Sequence, residues 1–271
     1  MKNQQFIKIF TVLILLKSWV LISQVKDIAK DTLQLNKTQK NSLALTHSID
    51  IIEQQDLRHL SVLTYGRKTK YGSLLTSYYQ ANRFGMTDHM VDFEYYPVIK
   101  KGTYLFLGAG ISFDQGLFPK HRFGLEVFQS FFKTYEGSIG LRQMTFTSKD
   151  LTILTASFGK YHKNYWFTGR IYYSNDDSGA TSTFFLQTRR YFSDANHYLN
   201  LLAGYGKGIS ELGFDEYFST KTIRFSASYQ QKIFKDYFIF QQLDYRADER
   251  MHNSGIYQHT YIATLGLKYL F

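Results

Sequence analysis

The chain has 271 residues, a formal net charge of +10 and no cysteine, so disulfide frameworks, thiol nucleophiles, Cys-ligated zinc and iron–sulfur clusters are excluded. Its only long apolar run is Ile9–Leu16, which Lys17 interrupts. A spanning helix needs about 20 mostly apolar residues, so a helical membrane bundle is excluded too.

Residues 1–23 have the anatomy of a secretory signal peptide, with Lys2 and Lys8 ahead of an apolar core that runs to Ile22 and the small residue Ser23 at the cleavage point. Removing them takes away three lysines and no acid, so the charge falls from +10 to +7. That excess is spread along the chain with no basic stripe or recognition motif, and no nucleic-acid partner is expected. Residues 24–43 are polar, lysine-rich and free of aromatics, and they read as a flexible periplasmic leader.

From Ala44 the texture changes to segments of period-2 alternation separated by short polar breaks, with no sustained helical period. The alternation predicts strands at about 44–54, 57–67, 70–84, 87–98, 103–114, 119–133, 135–148, 150–161, 164–176, 179–193, 196–209, 219–233, 236–249 and 257–271. In the last segment Tyr257, His259, Tyr261, Ala263, Leu265, Leu267, Tyr269 and Phe271 share one phase. A soluble sandwich also alternates, but its strands average about 5–6 residues, whereas tilted membrane-spanning strands need about 9–11. Joints near 99–102, 133–135, 161–164, 193–196 and 234–236 are tight, and those at 114–119, 210–220 and 247–256 are longer. Short turns on one side and longer loops on the other mark an outer-membrane barrel. The expected fold class is therefore all-β: a transmembrane antiparallel up-and-down β-barrel over 44–271, of about 14 strands with 12 as the alternative, in the bacterial outer membrane. Open sheet edges cannot exist in lipid, which requires closure.

Charged residues in the phase opposite the aromatics should face the lumen, because Arg or Lys on the lipid face costs about 2–4 kcal/mol at mid-depth. These are Asp92, Glu94, Arg122, Glu126, Glu136, Arg142, Arg170, Arg224, Asp244 and Arg246. The acids at 92, 94, 126 and 136 can pair with Arg122 and Arg142, as a structural network or as a polar constriction for a small ionic solute. Strict alternation sends one of Arg189 and Arg190 outward, through a bulge or by snorkelling. Tyr191, Phe192, Tyr198 and Tyr237, beside tight turns, fit an aromatic girdle. Ser112, His121 and Asp114 are close in sequence, but Ser112 and His121 fall in opposite phases and no catalytic residue is assigned. Gly108-Ala-Gly110 and Gly204-Tyr-Gly206-Lys-Gly208 lie inside alternating strands and lack the helix that a phosphate loop requires. Loop acids Asp176-Asp177 and Asp215-Glu216 suit contact with lipopolysaccharide through divalent ions, but no metal site and no cofactor is expected. At the chain end, Thr264, Gly266, Tyr269 and Phe271 have the spacing of the signal read by the barrel-assembly machinery. That machinery, outer-membrane lipid and lipopolysaccharide are the expected partners.

Several fragments resemble those of YaiO-type outer-membrane β-barrel proteins, in the same order. They are Glu94-Tyr-Tyr-Pro97, Phe118-Pro119 with Arg122-Phe-Gly-Leu-Glu126, Gly140-Leu-Arg142, Gly159-Lys-Tyr161 with Asn164-Tyr-Trp-Phe167 and Arg170, and Arg189-Arg-Tyr-Phe192. The resemblance covers about Leu60–Phe271. It implies an exported Gram-negative cell-envelope barrel and supplies no activity or catalytic residues. A narrow channel or solute-binding barrel with a charged lumen is the expected function. A sealed structural or interaction barrel is the alternative, ahead of a lipid- or polysaccharide-modifying enzyme.

Overall fold

The structure is a computed structural model that describes residues 40–52, 55–113, 116–147, 150–176, 179–207, 221–249 and 255–271. The expected signal peptide and nearly all of the leader lie outside these residues, as do Asp114, Asp177, Asp215 and Glu216. Fourteen strands follow in chain order: β1 (Asn41–Ile52), β2 (Arg58–Thr69), β3 (Gly72–Arg83), β4 (Met86–Lys100), β5 (Thr103–Ser112), β6 (His121–Phe131), β7 (Tyr135–Thr145), β8 (Asp150–His162), β9 (Tyr165–Asp176), β10 (Gly179–Tyr191), β11 (Tyr198–Lys207), β12 (Lys221–Phe234), β13 (Tyr237–Glu249) and β14 (Tyr257–Leu270). Each pairs antiparallel with its sequence neighbours, and β1 closes on β14, so the count is 14 rather than 12. The first strand opens at Asn41, three residues before the alternation becomes legible at Ala44.

The seam that closes the barrel runs in unbroken register from Ser42↔Leu270 to Ile52↔Thr260. Asn41 and Phe271 exchange both backbone hydrogen bonds at 2.8 and 3.0 Å, so the pairing continues to the end of the chain. The connections at 70–71, 101–102, 132–134, 163–164, 192–197 and 235–236 share the rim that carries both chain ends. The strand ends that flank 53–57, 84–85, 113–120, 146–149, 177–178, 208–220 and 250–256 lie at the opposite rim. By the sidedness of outer-membrane barrels, the short-turn rim is periplasmic.

Burial alternates as the sequence does. Leu125, Leu141, Leu154, Ile171, Leu186 and Leu243 face outward and are exposed, one strand after another, while their neighbours Glu126, Arg142, Thr155, Tyr172, Phe185 and Asp244 are buried. For a closed sheet the buried face is the concave one. Glu126 and Arg170 prove the point, because they meet at 2.9 Å although β6 and β9 are separated by two strands. Outward aromatics gather at both rims, as in the stack Tyr237–Tyr269 at 4.7 Å and the tilted pair Tyr245–Tyr261 at 5.4 Å. These are the interfacial girdles of a membrane barrel.

The two faces of one strand yield a direct test. Leu141→Arg puts a guanidinium on the lipid face beside the lumenal Arg142, and it should cost about 2–4 kcal/mol of stability. Urea unfolding in lipid vesicles, followed by heat-modifiable gel mobility, should show that loss. Leu141→Phe should leave the midpoint nearly unchanged.

Candidate functional site

The lumen is the site, and its wall is uneven. On β4–β9 it carries an ionic network with Glu126 at the hub. This carboxylate, 1% exposed, accepts hydrogen bonds from Arg142 Nη2 at 2.7 Å, Arg170 Nη1 at 3.0 Å and Ser138 Oγ at 2.5 Å. Arg142 also donates to the Leu125 and Leu141 carbonyls and lies 4.2 Å over the Phe106 ring, and Arg170 donates to Thr155 Oγ1. The network needs glycine beside it. A Cβ at Gly124 would lie 2.7 Å from the Phe106 ring and 2.8 Å from Arg142 Cδ. One at Gly140 would lie 2.6 Å from both Glu126 Cβ and the Leu125 carbonyl.

Nearby, Arg122 grips Asp92 with two nitrogens, Nε to Oδ1 at 2.7 Å and Nη2 to Oδ2. Glu94 accepts from Tyr96 Oη, and Glu136 is hydrogen-bonded to Tyr104 and Ser130. On the opposite wall Arg224 pairs with Asp244 at 2.8 Å, and Gln242 holds the other carboxylate oxygen at 2.6 Å. Arg246 pairs with Asp248 at 2.6 Å. All ten charges expected in the lumen thus stand on the concave face. Arg122 meets Asp92, and Arg142 and Arg170 share Glu126.

Three further groups were not singled out by alternation. Asp50 on β1 meets Arg83 on β3 at 3.4 Å. Asp248 completes the pair with Arg246. Asp88, 1% exposed, accepts the backbone N–H groups of Gly116, Leu117 and Phe118 at 2.9, 2.7 and 3.0 Å. It pulls the loop between β5 and β6 inward, where Phe118, 2% exposed, packs on Ala81 and Met90. A second apolar cluster of Met144, Leu151, Ile153, Tyr172 and Phe185 lines the loop-rim half of β7–β10, with Phe146 and Leu202 against it. On the remaining wall small polar residues, Ser42, Thr46 and Ser48 on β1, Thr64 on β2, Ser226 and Ser228 on β12, and Thr264 and Gly266 on β14, alternate with larger inward ones such as Leu60, Phe238, Phe240, Ile262 and Lys268. Here hydroxyls pair across strands, Ser48 with Thr264 at 2.8 Å and Thr64 with Ser77 at 2.9 Å.

Arg189 and Arg190 divide as alternation requires. Registers with β9 and β11 are continuous through both residues, so there is no bulge. Arg190 faces outward over Tyr165 and Phe192 at 5.7 and 5.1 Å, and Arg189 faces the lumen. Tyr237 and Phe192 sit on the outer face, but Tyr191 and Tyr198 do not join them in a girdle. They share the lumenal phase of Arg189 and Asn200, since Tyr198 pairs with the buried Gln230. The turn at 192–197 folds over this end, with Asn196 bound by Lys268 Nζ at 3.0 Å and Gln230 Nε2 at 2.9 Å. In that turn burial holds the His197 imidazole below its ordinary pKa, against the opposing pull of Asp194.

Ser112 is buried in the lumen and its Oγ has no hydrogen-bond partner, while His121 lies on the outer face, paired with Ile111. The fold does not bring the two together. In the C-terminal set, Thr264 and Gly266 face inward against Ser48 and Thr46, and Tyr269 stacks outward between Tyr237 and Phe271. Glu126→Gln removes the charge that two arginines share, and breaking such a buried pair costs about 3 kcal/mol or more. Asp248→Asn, at the better-solvated pair, should cost about 1 kcal/mol. Urea midpoints of the two variants in the same lipid should rank in that order.

Residues 40–210 match the YaiO membrane beta barrel domain. No curated protein matches the chain. Among solved structures it is similar to the CymD monoaromatic hydrocarbon channel, at 8% identity and a TM-score of 0.58, over 92% of this chain and 95% of that one. It is similar also to a bacterial polysaccharide outer membrane secretin, at 10% identity and a TM-score of 0.56, over 86% and 98% of the two chains. The Acinetobacter baumannii outer membrane protein Omp33 follows at 11% identity and 0.51, over 86% and 99%. At such identities the likeness is one of fold. The domain match spans well over half of the chain, which therefore belongs to the YaiO family of membrane β-barrels and is a protein of the bacterial outer membrane.

Proposed function

We propose that this barrel is a narrow channel for small polar and ionic solutes. The observation that carries the reading is that the lumenal charges pair along the wall. The long charged side chains pair along the wall with partners no more than three strands away, and between the pairs on β12, β14, β1 and β2 stand short hydroxyl side chains and glycine. Eight strands give an interior that side chains just fill, and sixteen to eighteen leave an aqueous channel. Fourteen strands whose charged side chains lie back along the wall leave room for a path between them. Arg170 retains 23% of its side-chain exposure, so it can meet a passing anion. Fixed charges along such a path set selectivity.

A second reading, a sealed structural barrel, draws on the inward-folded Phe118 and the apolar clusters near the loop rim. On either reading the outward girdles take up lipid and lipopolysaccharide, and Thr264, Gly266, Tyr269 and Phe271 serve as the handle for the assembly machinery.

Planar-bilayer recording separates the two. The folded protein should give reproducible conductance steps. Arg170→Ala should shift the permeability ratio toward cations by roughly two- to fourfold, the effect of one unit charge acting over about 10 Å through water. Absence of steps from protein shown to be folded would favour the sealed barrel.

A further inference from the structure

Most lumenal arginines described above are held by a carboxylate. Arg189 is different. Among the described residues its one hydrogen bond is a long contact from Nε to Asn200 Oδ1 at 3.5 Å. Its guanidinium is held instead by aromatic faces, 4.4 Å over Tyr198 and 5.6 Å over Trp166. Cation–π contacts of this kind orient a guanidinium without neutralising it, and they leave its planar edge open. The terminal nitrogens of Arg189, paired with no carboxylate among the described residues, therefore present a preoriented fork to the lumen, at the level of the periplasmic turns.

The surroundings of that fork are specific. Tyr161 pairs across the β8–β9 ladder with Trp166 and stacks on it at 6.1 Å, with 42% of its surface open although it lies on the lumenal face. It is near enough to Glu136 and Arg189 for both charges to act on it. Gln187 Nε2 donates to Asn200 Oδ1 at 2.5 Å, which leaves the Gln187 carbonyl oxygen and the Asn200 amide hydrogens for another partner. A flat apolar platform, a carboxylate-matching fork and planar amides thus converge within four neighbouring strands. An aromatic face takes the C–H face of a pyranose ring, planar amides and acids take its hydroxyls, and a guanidinium takes a carboxylate as a bidentate pair.

We propose that Tyr161, Trp166, Arg189 and Tyr198 form a binding subsite for an acidic saccharide, one uronate residue at a time, at the periplasmic end of the lumen. The proposal rests on the lumen being reachable by solutes. An aromatic acid such as benzoate would satisfy the platform and the fork but leave the amides unmet, and a neutral sugar would leave the fork unmet. The subsite ought therefore to prefer a ligand with all three features.

The chain has two tryptophans, Trp19 and Trp166, so Trp19→Phe makes Trp166 the sole indole. In that background, in detergent, Trp166 emission would be titrated with tetragalacturonate, maltotetraose and benzoate. The expected result is a saturable change with tetragalacturonate at an affinity at least tenfold above that for the other two. Arg189→Gln should lose at least tenfold of it. Tyr161→Ala, at an open position whose loss leaves the barrel wall intact, should weaken binding of both sugars. No saturable change in protein shown to be folded by heat-modifiable mobility would overturn the proposal, as would equal binding of benzoate or an unaltered affinity in both variants. Detergent leaves both mouths accessible, so binding here does not require conductance. Conductance without binding would overturn the subsite alone, and binding without conductance would overturn the channel alone.

Discussion

The constraint on which everything else depends is that a backbone in hydrocarbon has no water to bond to. Every N–H and C=O in the spanning region must find its partner inside the protein, and a sheet can do this only by closing on itself. The β1–β14 seam is where this chain meets that demand, through continuous register and a reciprocal pair of bonds between Asn41 and Phe271. Closure fixes which face of each strand is concave. From that single decision follow the apolar outer belt, the aromatic girdles and the concentration of charge inside.

Once charges are confined to the lumen they must be paired or solvated, since an isolated buried charge is very costly. The barrel answers with pairing along the wall. Glu126 binds two arginines, Asp92 and Asp244 one each, and Asp88 is satisfied by three backbone N–H groups of a loop that it draws inward. Pairing along the wall, not across the lumen, keeps the bulk of β4–β9 to one side. The same rule makes Arg189 conspicuous, because aromatic rings take the place of its counter-ion.

Much of this was legible in the sequence, for a physical reason: period-2 alternation is the barrel's own periodicity. Leu141 and Arg142 are adjacent, and only one of them can face lipid, so phase alone separates them. What alternation could not show are contacts made by curvature and by loops. Glu126 reaches Arg170 over two intervening strands because the sheet curls, and nothing in the spacing of 44 residues announces it. Asp88 lies at a strand end, and its partners are 28–30 residues away in a loop. Tyr191 and Tyr198 read as girdle residues because an aromatic beside a tight turn looks the same on either face. Their place in the lumen is visible only once the register ties Tyr198 to Gln230 and Arg189 to Asn200.

The central claim is that water occupies the lumen beside the hydroxyl-bearing positions of its wall. The absence of cysteine allows a direct measurement, the rate at which single introduced thiols react with a charged, membrane-impermeant methanethiosulfonate in lipid vesicles. Ser226→Cys places a thiol on the concave face of β12, and Ala227→Cys places one on the convex face one residue later. The expected result is fast modification at 226 and negligible modification at 227. Two equally inert positions in folded protein would show a sealed interior and contradict the account.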